Sequence, residues 1–262
     1  MNIKLTNRRA IVCGSTQGIG KAIAFELASL GASVTLFARD RDKMKKIIAE
    51  LDISSGQEHN FLVADFRFPE QVFEAITDYV KKQQAVHILV NNSGGPAPGK
   101  VIDADPHDFL NAFSQHVICN QHLVQAVVPR MKKENYGRII NVISISVRTP
   151  IAGLGVSNTI RGAVASWAKT LSAELGPFGI TVNNILPGLT MTGRLESLIH
   201  SRAQARSVSD EVLAEEMKAS IPARRFADPM ETAALAGFLA SPSAAFIRGE
   251  SIRVDGGATP SI

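Results

Sequence analysis

Seven short runs of aliphatic and β-branched residues recur along the chain: AIVC (10–13), SVTLFA (33–38), NFLVA (60–64), HILV (87–90), RIINVI (138–143), TVNNIL (181–186) and SIRVD (251–255). They read as continuous apolar stretches more than as alternations. A strand with one wet face alternates, whereas a strand covered on both faces does not. Between the runs lie segments of helical periodicity. In KAIAFELASLG, Ile23, Leu27 and Leu30 fall on one helical face and Gly31 supplies a stop. Buried strands alternating with helices predict a doubly wound α/β fold: one parallel sheet of about seven strands, with helices on both faces and right-handed crossovers.

No low-complexity linker or internal repeat divides the 262 residues, so residues 1–262 read as one domain. The segment 192–220, TGRLESLIHSRAQARSVSDEVLAEEMKAS, breaks the alternation. It is polar, helical and follows the C-terminal end of a strand, where a lid over a ligand would lie. Leu195, Leu198 and Met217 would be its apolar lining, and His200 is expected on its solvated face.

Composition narrows the function classes. Apolar residues make up 45% of the chain, enough for a substantial core. The net charge is +4, and the basic residues are scattered. DRDKMKK (40–46) alternates sign and reads as a solvated helix face, not a nucleic-acid patch. Cys13 and Cys119 stand alone, which predicts neither a disulfide framework nor a metal site and suits a reducing cytoplasm. The N-terminal apolar run is four residues long, too short for a signal segment, and no stretch approaches the ~20 apolar residues of a membrane span.

The first crossover carries the chemistry. CGSTQGIG (13–20) joins the first strand to the first helix, the context a dinucleotide-binding turn of the Rossmann type requires. Gly14 permits the tight turn, Gly18 allows close approach of phosphates, and Gly20 allows close helix–strand packing. Ser15, Thr16, Gln17 and Ile19 complete the loop. The helix start offers free N–H groups to a pyrophosphate.

The spacing is G-x-x-x-G-x-G, which resembles the short-chain dehydrogenase/reductase family, and the resemblance extends along nearly the whole chain. NNSGG (91–95), with Asn92, Ser93 and Gly94, is similar to the family's segment after the fourth strand. VADF (63–66) resembles the strand end whose Asp65, followed by Phe66, would meet the adenine. LPGLTMT (186–192) resembles the segment that holds the nicotinamide carboxamide, here Pro187, Gly188, Thr190 and Thr192. RRFADPMETAALAGFLAS and IRGESIRVDGG look like the closing helix and last strand.

The second strand ends LFARD. An acidic residue there would bind a ribose 2′-hydroxyl and repel a 2′-phosphate. By the family's pattern that position is Ala38, followed by Arg39, whose guanidinium suits a 2′-phosphate, so NADP(H) is favoured over NAD(H). Asp40 would be the acidic ligand if the register differs by two. Gln17 stands where some NADP-dependent relatives carry a basic residue.

The family's catalytic set is altered. Ser144, in INVISIS, matches the serine that hydrogen-bonds the substrate oxygen. The tyrosine position is Ser157 and the lysine position Arg161, so the Y-x-x-x-K motif reads S-x-x-x-R. The asparagine position falls on His116, with Asn120 one turn on. Tyr136, before the fifth strand, is expected at the wrong end of the sheet, and Tyr79 on the outside of the fold. Ser157 and Arg161 share a helix face. Arg161 could keep the ribose contact and stabilise an alkoxide, but with a pKa above about 12 it would not exchange protons. Only His116 has a suitable ordinary pKa, about 6.5, so a His116–Ser157 relay is one expectation. A histidine merely satisfied by backbone is the other.

The resemblance implies an oxidoreductase acting on a small carbonyl or secondary alcohol, with a 3-oxoacyl thioester as a family default. The alternative is a dinucleotide binder without turnover, a sensor or structural partner. It also implies a homo-oligomer, tetramer or dimer, with 106–132, 157–175 and the tail VDGGATPSI as contact surfaces.

Overall fold

The computed structural model describes residues 1–82 and 85–261. The last residue of the expected contact tail, Ile262, lies outside them. Seven parallel strands form one sheet in the order β3-β2-β1-β4-β5-β6-β7. These are β1 Arg9–Cys13, β2 Ser33–Ala38, β3 Asn60–Val63, β4 Ile88–Asn91, β5 Gly137–Val142, β6 Ile180–Pro187 and β7 Ser251–Val254. Each expected run is a strand, and every end falls within one residue of the expected one.

Pleating sends alternate side chains to opposite faces. Ala10 and Val12 of β1 pack with helix α1 (Gly18–Ser29) and helix α9 (Pro229–Ala240). Ile11 and Cys13 pack with helix α3 (Pro69–Lys82) and helix α5 (Cys119–Glu134). Two apolar cores therefore sandwich the sheet, which is why the strands read as continuous runs. Helix α2 (Arg41–Glu50) buries Met44 and Ile47 and presents its charges outward.

Strand order reverses direction at β1 and β4, and ligand crevices open beyond the C-terminal ends of strands at such a point. Helix α4 (Pro106–Phe113) runs into α5 through a π-helical turn, Ser114–Ile118. The long helix α6 (Gly155–Leu175) packs beside β6. The region expected to form a lid is a helical pair, α7 (Gly193–Arg206) and α8 (Asp210–Ala219). It has its own small core of Leu195, Ile199, Ala203, Leu213, Ile221 and Phe226. No helix among the described residues is long and apolar enough to cross a membrane.

Candidate active site

A cleft of about 250 Å³ opens at the C-terminal ends of the central strands. Its walls come from α1 (Ile19), the loop after β4 (Asn92–Gly95), the end of β5 and its following turn (Val142–Ile145), α6 (Ser157, Arg161) and the segment after β6 (Pro187–Thr190, Thr192). Arg194, Leu195 and Leu198 of α7 close one side. Met217, expected there, instead packs among the apolar residues between α7 and α8. His200 is tied to Asp210 at 3.0 Å and to Gln204, on the exposed face of the lid.

The glycine turn has the geometry the motif requires. Gly14 and Gly18 have φ of +59° and +52°, a region that disfavours side chains. A Cβ on Gly20 would stand 2.2 Å from the Gly14 carbonyl oxygen, so only glycine lets α1 dock this closely. Gln17, the residue before α1, is extended and gives no side-chain cap. The first N–H groups of α1 therefore remain available to an anion. Gly94 lines the cleft, and a Cβ there would meet nothing within 4 Å. These features fit a dinucleotide.

Several residues expected to touch the cofactor also do structural work. The Ser15 hydroxyl accepts from the Phe37 N–H at 3.1 Å and is wholly buried. The Phe66 ring packs edge-on against Phe37 at 5.3 Å. Asn92 donates to the carbonyls of Cys13 and Gly14, both at 3.2 Å, tethering the glycine turn to the loop after β4. Asp65 is held by Arg67, whose Nε lies 2.9 Å from Oδ2. Those hydrogen bonds hold its carboxyl below the ordinary range.

At the end of β2, the Arg39 guanidinium is exposed and makes only a long 3.8 Å approach to Asp65 among the described residues. Asp40 caps α2, accepting from the Lys43 N–H at 3.0 Å. Its carboxylate is thus engaged at a helix end, while the Arg39 guanidinium stays exposed beside it.

The reaction end is built from three elements. Ser144 starts a short 3₁₀ turn and accepts from the Ser146 N–H at 3.1 Å while also lining the cleft. Its hydroxyl is thus both a turn acceptor and part of the cleft wall. Ser157 and Arg161, one turn apart on α6, are both buried and both line the cleft. Arg161 donates from Nη1 to the Val142 carbonyl at 3.1 Å. Burial, then the charge of Arg194, lowers its pKa to about 10. That is below the range expected from sequence, yet it leaves the group cationic at neutral pH.

His116 sits in the π-helical turn and does not reach Ser157. Its Nδ1 is 2.8 Å from the Ser93 hydroxyl, and Nε2 is buried without a partner. Burial, then the nearby charges of Arg161 and Arg194, pushes its pKa well below 6.5. The expected His116–Ser157 relay is therefore not assembled. Neither tyrosine lines the cleft. Tyr136 bonds the Ala240 carbonyl at the far end of β5. Tyr79, expected on the outside, lies on the buried face of α3 with its hydroxyl 2.8 Å from Thr35.

One feature had no single-residue signal in the sequence. Asn91, Asn141 and Asn184 form a buried amide ladder across β4, β5 and β6, with bonds of 2.8 and 2.9 Å, ending on Ser251 of β7. It stitches together the strands that deliver the cleft's floor.

Residues 14–259 match the family described as enoyl-(acyl carrier protein) reductase. The NADPH-dependent reductase BacG of Bacillus subtilis is 29% identical over 259 residues, covering 98% of this chain and all of that protein. The 7alpha-hydroxysteroid dehydrogenase of Escherichia coli is 31% identical over 257 residues, covering 98% of this chain and 96% of that one. The chain belongs to the short-chain dehydrogenase/reductase family. Among solved structures, L-sorbose reductase from Gluconobacter frateurii, complexed with NADPH and L-sorbose, superposes with a TM-score of 0.93 at 27% identity, covering both chains fully. The family's fold is thus shared.

Proposed function

We propose that this short-chain dehydrogenase/reductase is an NADP(H)-dependent oxidoreductase acting on a carbonyl or the corresponding secondary alcohol, through Ser144 and Arg161. The observation that carries this reading is the meeting of a buried, carboxylate-free guanidinium and a donor-capable serine at the inner end of a cleft whose outer end is the glycine turn. Relatives described as NADPH-dependent or bound to NADPH support the choice of cofactor, as does Arg39.

NADPH would supply the hydride. Ser144 would donate its hydroxyl hydrogen bond to the substrate oxygen and orient the carbonyl. Arg161 would hold ribose hydroxyls and present a fixed positive charge to the oxygen as negative charge develops there. Ser157 is a poor acid, His116 is neutral and turned toward Ser93, and Arg161 retains its proton. The final proton on oxygen therefore comes from water entering the cleft, and a 3-oxoacyl thioester fits this chemistry as one substrate class.

The absence of a phenol at the cleft favours the second reading, a dinucleotide binder without turnover. Self-association as a dimer or tetramer belongs to the same proposal. Leu110 and Phe113 of α4 are exposed apolar residues within the expected contact helices. The test is NADPH oxidation with a panel of 3-oxoacyl thioesters and simple ketones, on the wild type, Ser144→Ala and Arg161→Ala. Turnover lost in both variants supports the enzyme. No turnover in the wild type, with nucleotide binding intact, favours the binder.

A further inference from the structure

The cleft contains two guanidiniums and no carboxylate. Arg161 lies buried on its floor, and Arg194, on the first turn of α7, stands at its rim. Neither is in an ion pair among the described residues. Arg161 gives one hydrogen bond to the Val142 carbonyl, and Arg194 gives one from Nη2 to the Pro96 carbonyl at 3.2 Å. Two cations facing one cleft, Arg161 buried and Arg194 exposed at the rim, with only neutral carbonyls as partners, leave a positive potential there. The two charges are close enough for each other's field to be felt: the Arg161 pKa is depressed partly by Arg194.

The position of Arg194 is shaped by the chain around it. It crosses from the lid to the loop after β4, and it lies in room left by a glycine. A Cβ on Gly95 would stand 2.7 Å from its Nη1. Nothing acidic in the cleft competes for it. The rest of the wall is largely aliphatic, including Ile143, Leu154, Leu189 and Leu198.

On the reductase reading above, we infer that the substrate is an anion: an oxo acid whose apolar body lies against the aliphatic wall, with its carboxylate held at the rim by Arg194. A neutral ketone leaves that guanidinium uncompensated. A carboxylate forms a charge-assisted, fork-shaped pair with it. The free N–H groups at the start of α1 would hold the dinucleotide's phosphates, and Arg194 would be left for the substrate.

The test uses protein saturated with NADP⁺ and measures affinity, by calorimetry, for 4-oxopentanoate, 5-oxohexanoate and 6-oxoheptanoate against their methyl esters. At least one acid should bind about tenfold or more tighter than its ester. That preference should shrink as salt rises, vanish in Arg194→Gln and survive in part in Arg194→Lys. Gly95→Ala, which crowds the guanidinium, should weaken it as well. Equal affinities for every acid–ester pair, or no binding by any of them, overturn the inference. So does a preference that persists in Arg194→Gln. A loss of nucleotide affinity alone in Arg194→Gln would assign the arginine to the cofactor's phosphates and also overturn it. If NADP⁺ and NADPH do not bind at all, the reductase reading fails separately, and the acid–ester comparison on cofactor-free protein still decides whether the rim selects anions.

Discussion

The Ser93 hydroxyl lies 2.8 Å from Nδ1 of His116, and the buried Nε2 of the same ring meets no partner. This pairing commits Nδ1 of His116 to Ser93 and not to Ser157. Burial and the charges of Arg161 and Arg194 keep the ring neutral through the neutral pH range. The rate of NADPH oxidation should therefore show no inflection near about pH 6.5. His116→Asn should leave the shape of the pH profile unchanged. An inflection there that His116→Asn removes would restore the histidine as a proton donor.

Ser157 stands one turn before Arg161 on α6, and both line the cleft. On the reading that they stand where the family's tyrosine and lysine would, the double variant Ser157→Tyr/Arg161→Lys places a phenol and an ammonium on that face. A positioned general acid contributes about 10²–10⁴ in rate. The double variant should gain turnover within that range on a substrate the wild type already reduces. Unchanged or lower turnover, with folding and nucleotide affinity retained, would mean that substrate is held too far from residue 157.

Of the fold, the strands were legible because two-sided burial leaves continuous apolar runs, and the run at 33–38 coincides with β2. The glycine turn was legible because its three glycines answer local steric demands. The π-helical turn at 114–118 was not. It adds no change of hydrophobic period, yet it decides which way His116 points. The lid read as one polar helical stretch but is two helices, divided where Ser207 takes a left-handed φ of 53°. Tyr79 looked external because its helix is external; its facing toward Thr35 depends on packing across the sheet. Arg194 resembled any other lid charge. Its place in the cleft comes from a contact with Pro96, 98 residues away in sequence.

The asparagine ladder predicts a stability cost distinct from catalysis. Asn141 donates to Asn184 and accepts from Asn91, and it is fully buried. Asn141→Leu would strand a donor on Asn91 and an acceptor on Asn184. Each stranded group costs about 1–3 kcal/mol, so a total of about 2–6 kcal/mol should be lost in urea denaturation. A loss under about 1 kcal/mol would show that water replaces the ladder.

His87 supplies a pH dependence of stability. Its Nδ1 accepts from the Arg9 N–H at 3.0 Å, which requires a neutral ring. Burial, then the charge of Arg8, lowers its pKa to about 4. The unfolded chain protonates this histidine first, so stability is fully present above about pH 6.5 and falls as pH drops toward 4. After allowance for solvent screening, the loss is on the order of 1–2 kcal/mol. Thermal denaturation of wild type and His87→Asn between those limits should show a shallower slope for the variant. Parallel slopes would remove His87 from the acid sensitivity.

On the proposed reading, the cleft holds a dinucleotide whose 2′-phosphate meets Arg39. Calorimetric titration of the purified protein with NADPH and, separately, NADH tests it most directly. NADPH should bind in the micromolar range or tighter, with a margin of about tenfold or more over NADH that Arg39→Ala removes. Equal affinity for the two, or a margin that survives Arg39→Ala, would contradict the assignment of Arg39. No binding of either nucleotide would contradict the oxidoreductase itself.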